Sequence, residues 1–193
     1  MKHKKLRRPS KLEIEGEIRR VRERNFARSL INKVIYTIIS TAAIVTIVCV
    51  LIMPVLRIYG SSMEPTLNNG EIVLSLKTSK YEVGDLIGFY YNNKILVKRV
   101  IATEGQWVNI DESGNVFIDD ELLDEPYVHE KALGECNIKL PYQVPEGKIF
   151  VMGDHRSTSV DSRSNQVGCP SQEQLVGKIV FCVWPLKHVG FLK

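Results

Sequence analysis

The fold class this sequence predicts is a mainly β domain behind one N-terminal transmembrane helix, and three observations predict it. Residues 34–56, VIYTIISTAAIVTIVCVLIMPVL, hold 23 positions without a charge. After them, short β-prone runs alternate with turn residues. Charge also divides at the apolar segment: residues 1–33 carry 12 Lys and Arg against 4 Asp and Glu, and residues 57–193 carry 14 against 18. The net charge of +4 conceals a basic arm and an acidic domain.

As a helix, the apolar segment would be about 34 Å long at 1.5 Å per residue, enough to cross a hydrocarbon core of about 30 Å. A buried core helix fits less well, because no face of it carries the polar residues a globular helix shows to water. A cleavable signal peptide has a shorter apolar region and a shorter basic one. The expectation is therefore an uncleaved signal anchor at 34–56, a basic cytoplasmic segment at 1–33 and an extracytoplasmic domain at 57–193. Lys and Arg in KHKKLRRPSK and RRVRERNFARSLINK set that orientation. Ile14, Ile18 and Val21 share one helical face among charges and suit a juxtamembrane helix near anionic lipid. No nucleic-acid role is expected of the arm.

The external domain reads as strands at EIVLSL, DLIGFYY, ILVKRVIA, WVNI, NVFI, KIFVMG and KIVFCVW. EVGD, YNNK, DESGN and PEG are the turns between them, and IDESGNVFI reads as a hairpin. Residues from about 105 to 142 are more acidic and less regular, which suggests an excursion from the main sheet and does not require a separate domain. Cys49 lies within the span. Cys136, Cys169 and Cys182 form neither a CxxC pair nor a metal-ligand spacing with His. Unpaired thiols are the favoured reading, with one bridge among the three left open.

Three segments could carry chemistry. GSSMEPTL begins four residues beyond the apolar run and offers Ser61 and Ser62 before Pro65. ILVKRVI is apolar enough for a buried strand, so an ammonium in it must be paired, solvated or made neutral. A Lys kept neutral by desolvation can act as a general base. Side chains alternate along a strand, so only one of Lys98 and Arg99 need face inward. The third segment, FVMGDHRSTSVDSRSNQVG, runs from an apolar strand into a loop of short polar side chains that suit the fixing of reactive groups.

Together and in this order, GSSMEPTL, VKRVIATEG and FVMGDHRSTSVDSR behind an N-terminal span resemble the type I signal peptidases of the bacterial, single-span kind. The resemblance implies that Ser62 is the nucleophile and Lys98 its general base. It implies that Ser159 hydrogen-bonds and orients the lysine, that Asp154 and Arg99 form an ion pair, and that Asp161 and Arg163 also support the site. It further implies an antiparallel, partly closed β architecture, shared with self-cleaving Ser-Lys regulators, and no metal or cofactor. His3, His129 and His188 have no partner pattern.

The implied activity is cleavage of signal peptides from exported preproteins, after an A-x-A pattern of small residues, as they emerge from the translocase at the bacterial cell membrane. Ile58, Tyr59 and Gly60 on one side, and Leu96 and Val97 on the other, would form the edges against which an extended peptide adds as a strand. Met63 would pack beside them or dip toward lipid. The Ser62 backbone N–H would donate to the oxyanion. Some relatives supply a second donor from a Ser at the position that Gly60 holds here. His155 stands where the family commonly has Asn, and SNQVGCP is longer than the familiar pattern. The alternative reading is a non-catalytic or substrate-dedicated relative that assists pilus or surface-protein assembly. A loss of Ser62 or Lys98 would mark it, and both are present.

Overall fold

In a computed structural model of the protein, the structure describes residues 10–192. Most of the KHKKLRRPSK run, His3 included, lies outside the described residues. Helix α1, Lys11–Ile52, takes in the expected juxtamembrane segment and most of the uncharged run. Ile14, Ile18 and Val21 are exposed on it, with Arg19 and Glu23 paired one turn apart at 3.1 Å. Among the described residues it is the one helix long and apolar enough to cross a membrane, and none of its apolar stretch is buried. Hydroxyls within the uncharged run return to helix carbonyls, Thr37 to Lys33 at 2.9 Å and Thr46 to Ala42 at 2.8 Å, so neither asks the surroundings for a partner.

The helix stops at Ile52, short of the expected end at 56. Pro54 has no N–H to extend the helical ladder and pushes the residue before it out of helical geometry. Val55 and Leu56 belong instead to a strand. The uncharged part of the helix, 34–52, is still about 28 Å long, close to a hydrocarbon core.

The strands are β1 (Val55–Arg57), β2 (Ile72–Leu76), β3 (Leu86–Tyr91), β4 (Lys94–Ala102), β5 (Trp107–Ile110), β6 (Val116–Ile118), β7 (Glu121–Leu122), β8 (Tyr142–Gln143), β9 (Phe150–Met152), β10 (Leu175–Trp184) and β11 (Gly190–Phe191). Seven of them form one sheet in the order β1-β2-β10-β3-β4-β9, with β11 added to β10. The other four form a second sheet, β7-β6-β5-β8, which is the excursion. All pairings are antiparallel. The fold is thus mainly β, as the alternating runs predict, and IDESGNVFI is the β5–β6 hairpin with Ile110 opposite Val116. The unforeseen strands β1, β7, β8 and β11 are only two or three residues long, too short for alternation to register.

One core cluster, with Leu56, Ile58, Met63, Leu67, Val73 and Ile179, lies beneath the segment that follows β1. Met63 is 2% exposed, so it packs and does not dip toward lipid. A second cluster, with Ile101, Val108, Val116, Phe150 and Met152, joins β4 and β9 to the second sheet. The four thiols are unpaired; burial pushes those of Cys169 and Cys182 above their ordinary value. His188 is not incidental, because its Nδ1 lies 2.7 Å from the buried carboxylate of Glu71. Burial alone would raise the Glu71 carboxyl, but hydrogen bonds with His188 and Asn68 outweigh it and hold the group below its ordinary value.

Candidate active site

The connection from β1 to β2 carries the predicted nucleophile. Ile58 and Glu71 continue the pairing beyond β1, with Ile58 N–H donating to Glu71 O at 2.8 Å and Gly70 N–H to Ile58 O at 2.9 Å. The loop between them is anchored by Met63 and Leu67 in the core and by Leu67 N–H donating to Met63 O at 2.8 Å. Gly60 adopts φ +87°, where a side chain would strain the backbone, and its N–H donates to Asn69 Oδ1 at 3.1 Å. The result is a tight turn that leaves Ser62 half-buried.

Lys98 comes from the middle of β4, opposite Ile87 on β3. Its Nζ lies 2.6 Å from Ser62 Oγ. Both Lys98 and Arg99 are buried, at 3% and 1% exposure, so the expectation that only one need face inward is too modest. Strand alternation resolves the apparent conflict: the two side chains leave β4 on opposite sides, one toward Ser62 and the other toward Asp154. Burial is the largest influence on Lys98. Together with the Arg163 guanidinium it pushes the ammonium down to about 8, against the opposing pull of the Asp161 and Asp154 carboxylates.

The loop after β9 supplies the surroundings. Arg99 grips Asp154 with two parallel bonds, Nε to Oδ1 at 2.9 Å and Nη2 to Oδ2 at 2.7 Å, and also donates to Gly84 O at 2.7 Å. Thr66, four residues after the nucleophile, donates to the same Asp154 carboxylate. Arg163 grips Asp161 likewise, with both bonds at 2.8 Å. Burial would raise the Asp161 carboxyl, but Arg163 and the donors from Gly153 and Ser159 hold it below its ordinary value.

The expected hydrogen bond from Ser159 to Lys98 is replaced by another. Among the described residues the Ser159 hydroxyl donates to Asp161 Oδ2 at 2.7 Å, and the Lys98 ammonium bonds Ser62 Oγ rather than Ser159. Gly153 separates Ser159 from the nucleophile loop. A Cβ at Gly153 would lie 2.3 Å from Ser159 Oγ and 2.5 Å from Ser62 O, so glycine alone fits there. The His155 N–H donates to Ser62 O at 3.1 Å and ties this loop directly to the Ser62 peptide.

Beside Ser62 and Lys98 lies a small cleft of about 40 Å³, lined also by Ile58, Tyr59, Gly60, Met63, Leu96 and Val97. These are the six residues expected to border an extended peptide, here together in one place. Among the described residues the Ser62 N–H donates to no carbonyl, so it is available to a developing oxyanion. No group of three or more His, Cys, Asp and Glu among the described residues could hold a metal ion.

Sequence reasoning missed a third buried pair and an aromatic lid. Arg156 forms a two-point contact with Glu125, both side chains fully buried, and the Tyr127 ring lies 3.9 Å from the Arg99 guanidinium. Burial, with the Glu125 carboxylate, pushes the Tyr127 phenol well above its ordinary value. Glu125 and Tyr127 come from the acidic DEPY stretch, where composition alone suggests a solvated surface.

The chain matches the family model described as signal peptidase, peptidase S26, over residues 31–184. Signal peptidase I U of Bacillus subtilis (strain 168) is 34% identical over 170 residues, 82% of this chain and 90% of that protein. Signal peptidase IB of Staphylococcus aureus (strain MRSA252) is 33% identical over 154 residues, 69% of this chain and 79% of that one. Thylakoidal processing peptidase 1, chloroplastic, of Arabidopsis thaliana is 34% identical over 148 residues, 68% of this chain but 42% of its own length. A solved signal peptidase I from Enterococcus faecalis V583 covers 53% of this chain at 26% identity, with a TM-score of 0.44. The matched segment takes in β1 through β10, the end of α1 and all three segments that meet at Ser62, so the chain belongs to the signal peptidase family, peptidase S26.

Proposed function

We propose that the chain is a membrane-anchored serine endopeptidase that removes signal peptides from exported preproteins, with Ser62 as nucleophile and Lys98 as general base. The observation that carries this reading is the 2.6 Å approach of a buried lysine Nζ to the Oγ of a half-buried serine at the edge of the cleft. With Lys98 neutral, the Ser62 hydroxyl donates to Nζ. As Oγ attacks the scissile carbonyl carbon, a C–O bond forms and the proton passes to Nζ. The Ser62 N–H meets the oxyanion. Collapse breaks the C–N bond, and Nζ returns the proton to the leaving amine. Water then adds to the acyl ester carbon, forming a C–O bond and giving a proton to Lys98 Nζ; collapse breaks the bond to Ser62 Oγ, which takes that proton from Nζ, so the carboxylic acid leaves with Ser62 and neutral Lys98 restored.

The basic arm orients α1 with its N-terminus in the cytoplasm and the β domain outside. Preproteins then present their cleavage site at the membrane surface where Ser62 follows the span, which limits the search for a productive encounter. The 40 Å³ cleft suits the small side chains of an A-x-A pattern. Detergent-solubilised full-length protein is expected to cut an A-x-A precursor once, immediately after the second Ala, as read by product mass. Changing that Ala to Trp is expected to lower kcat/KM by roughly 1,000-fold, since overfilling a small pocket costs several kcal/mol. Equal cleavage of the two precursors would overturn the pocket assignment, and no cleavage of either, pilin-type precursors included, would favour the non-catalytic alternative.

A further inference from the structure

Gly153 lies against both the nucleophile loop and Ser159, and its peptide is gripped from two sides. Its N–H donates to Asp161 Oδ2 at 2.9 Å, and its carbonyl accepts from Arg156 Nε at 3.1 Å. Asp161 is held by Arg163, and Arg163 Nη2 in turn donates to the Arg156 carbonyl at 3.0 Å. Arg156 is therefore the hinge pin of the loop. Its own guanidinium is fixed by Glu125, which lies 31 residues earlier, in the connection from β7 to β8.

We propose that Glu125 is a positioning residue for the cleavage reaction: by fixing Arg156 it sets the Gly153 peptide and, through that, the walls that keep water from Lys98 and Ser62. This inference rests on the Ser62/Lys98 reading. A fully buried Arg–Glu pair gains little stability over apolar residues of the same volume. What a two-point fork supplies is geometry. The same connection places Tyr127 over Arg99, and the Tyr127 hydroxyl donates to Glu125 Oε1 at 3.3 Å. One stretch of the excursion thus covers the arginines on both sides of Gly153 and Asp154, and the second sheet is part of the catalytic machinery's support.

The test measures kcat/KM against pH, together with the melting temperature, for the full-length protein and three variants. Glu125→Gln is expected to move the acid limb of the profile upward by about one unit, or about tenfold in kcat/KM on that limb, because water admitted to Lys98 restores its affinity for a proton. Glu125→Asp keeps the charge and is expected to return the limb toward its original position. The double variant Glu125→Gln/Arg156→Met removes the buried cation that the single variant strands. Its melting temperature is expected to recover while the limb stays displaced, because the Gly153 carbonyl still lacks its donor.

A wild-type limb in Glu125→Gln, or a double variant that recovers both quantities, would overturn the proposal and leave the dyad standing. Should Glu125→Gln not fold, the double variant alone decides by the same criterion. Wild-type protein that cleaves but shows no acid limb would remove the dyad reading and this inference with it.

Discussion

Ser62→Ala is expected to lower cleavage by at least about 10⁴-fold, the scale seen when a serine nucleophile is removed from other hydrolases, with the domain still folded. The residue sits half-buried on a loop whose stability comes from elsewhere, chiefly from Met63, Leu67 and the pairing of Ile58 with Gly70 and Glu71. Among the described residues its hydroxyl has one side-chain hydrogen-bond partner, Lys98 Nζ, so the truncation leaves no other described side chain without a partner. Turnover of an A-x-A precursor, followed by mass, beside a thermal melt checks both halves. Wild-type turnover in this variant would remove Ser62 from the mechanism.

Lys98→Met is expected to abolish cleavage to a similar degree and, at neutral pH, to make the domain more stable. Methionine keeps the apolar stem and loses the ammonium. The two catalytic groups act as a unit, so Ser62→Ala/Lys98→Met should cost about as much activity as either change alone. The stability effect follows from the lysine's depressed affinity for a proton. Burial brings the group to about 8 in the fold, against an unfolded value near 10.4. Below pH 8 both states are protonated, and the fold bears the whole cost of a buried cation. Between about 8 and 10.4 the fold releases a proton that the unfolded chain keeps, so wild-type stability rises with pH across that window, by about 3 kcal/mol. The advantage of methionine is accordingly about 3 kcal/mol at pH 7 and fades toward pH 10. Urea melts at the two pH values read it directly, and a variant less stable than wild type at pH 7 would contradict the account. Instability held in a buried lysine that the proposed mechanism needs would be an instance of the trade between stability and function.

Much of this architecture was legible in the sequence because it rests on local patterns. Alternation marked β2 to β6, β9 and β10, and the turn chemistry of DESGN marked the β5–β6 hairpin. The uncharged run marked the helix, though not its end: hydropathy sees Val55 and Leu56 as continuing the span, whereas their pairing with β2 is a tertiary matter. At the site, the three segments were legible as segments, and Ser62, Lys98 and the six cleft residues do converge.

Their surroundings were less legible. Two adjacent cations in one strand look unfavourable from composition alone, and it was the resemblance to signal peptidases, not spacing, that pointed to Asp154, 55 residues away, as the partner Arg99 meets. Glu125 and Arg156 lie 31 residues apart, each in a stretch polar enough to pass for surface, and only the fold buries both. Ser159 was expected to hydrogen-bond the lysine, whereas its hydroxyl donates to Asp161, and which neighbour it meets depends on distances that no spacing encodes.

The most direct test of the central claim is the pH dependence of kcat/KM for a peptide substrate without ionisable groups near the scissile bond. A neutral Lys98 acting as base predicts a tenfold rise per pH unit at acid pH, a midpoint at about 8 and a plateau above it. A midpoint near 6.5, the ordinary value of histidine, or a rate independent of pH from 6 to 9 would contradict the Ser62/Lys98 dyad.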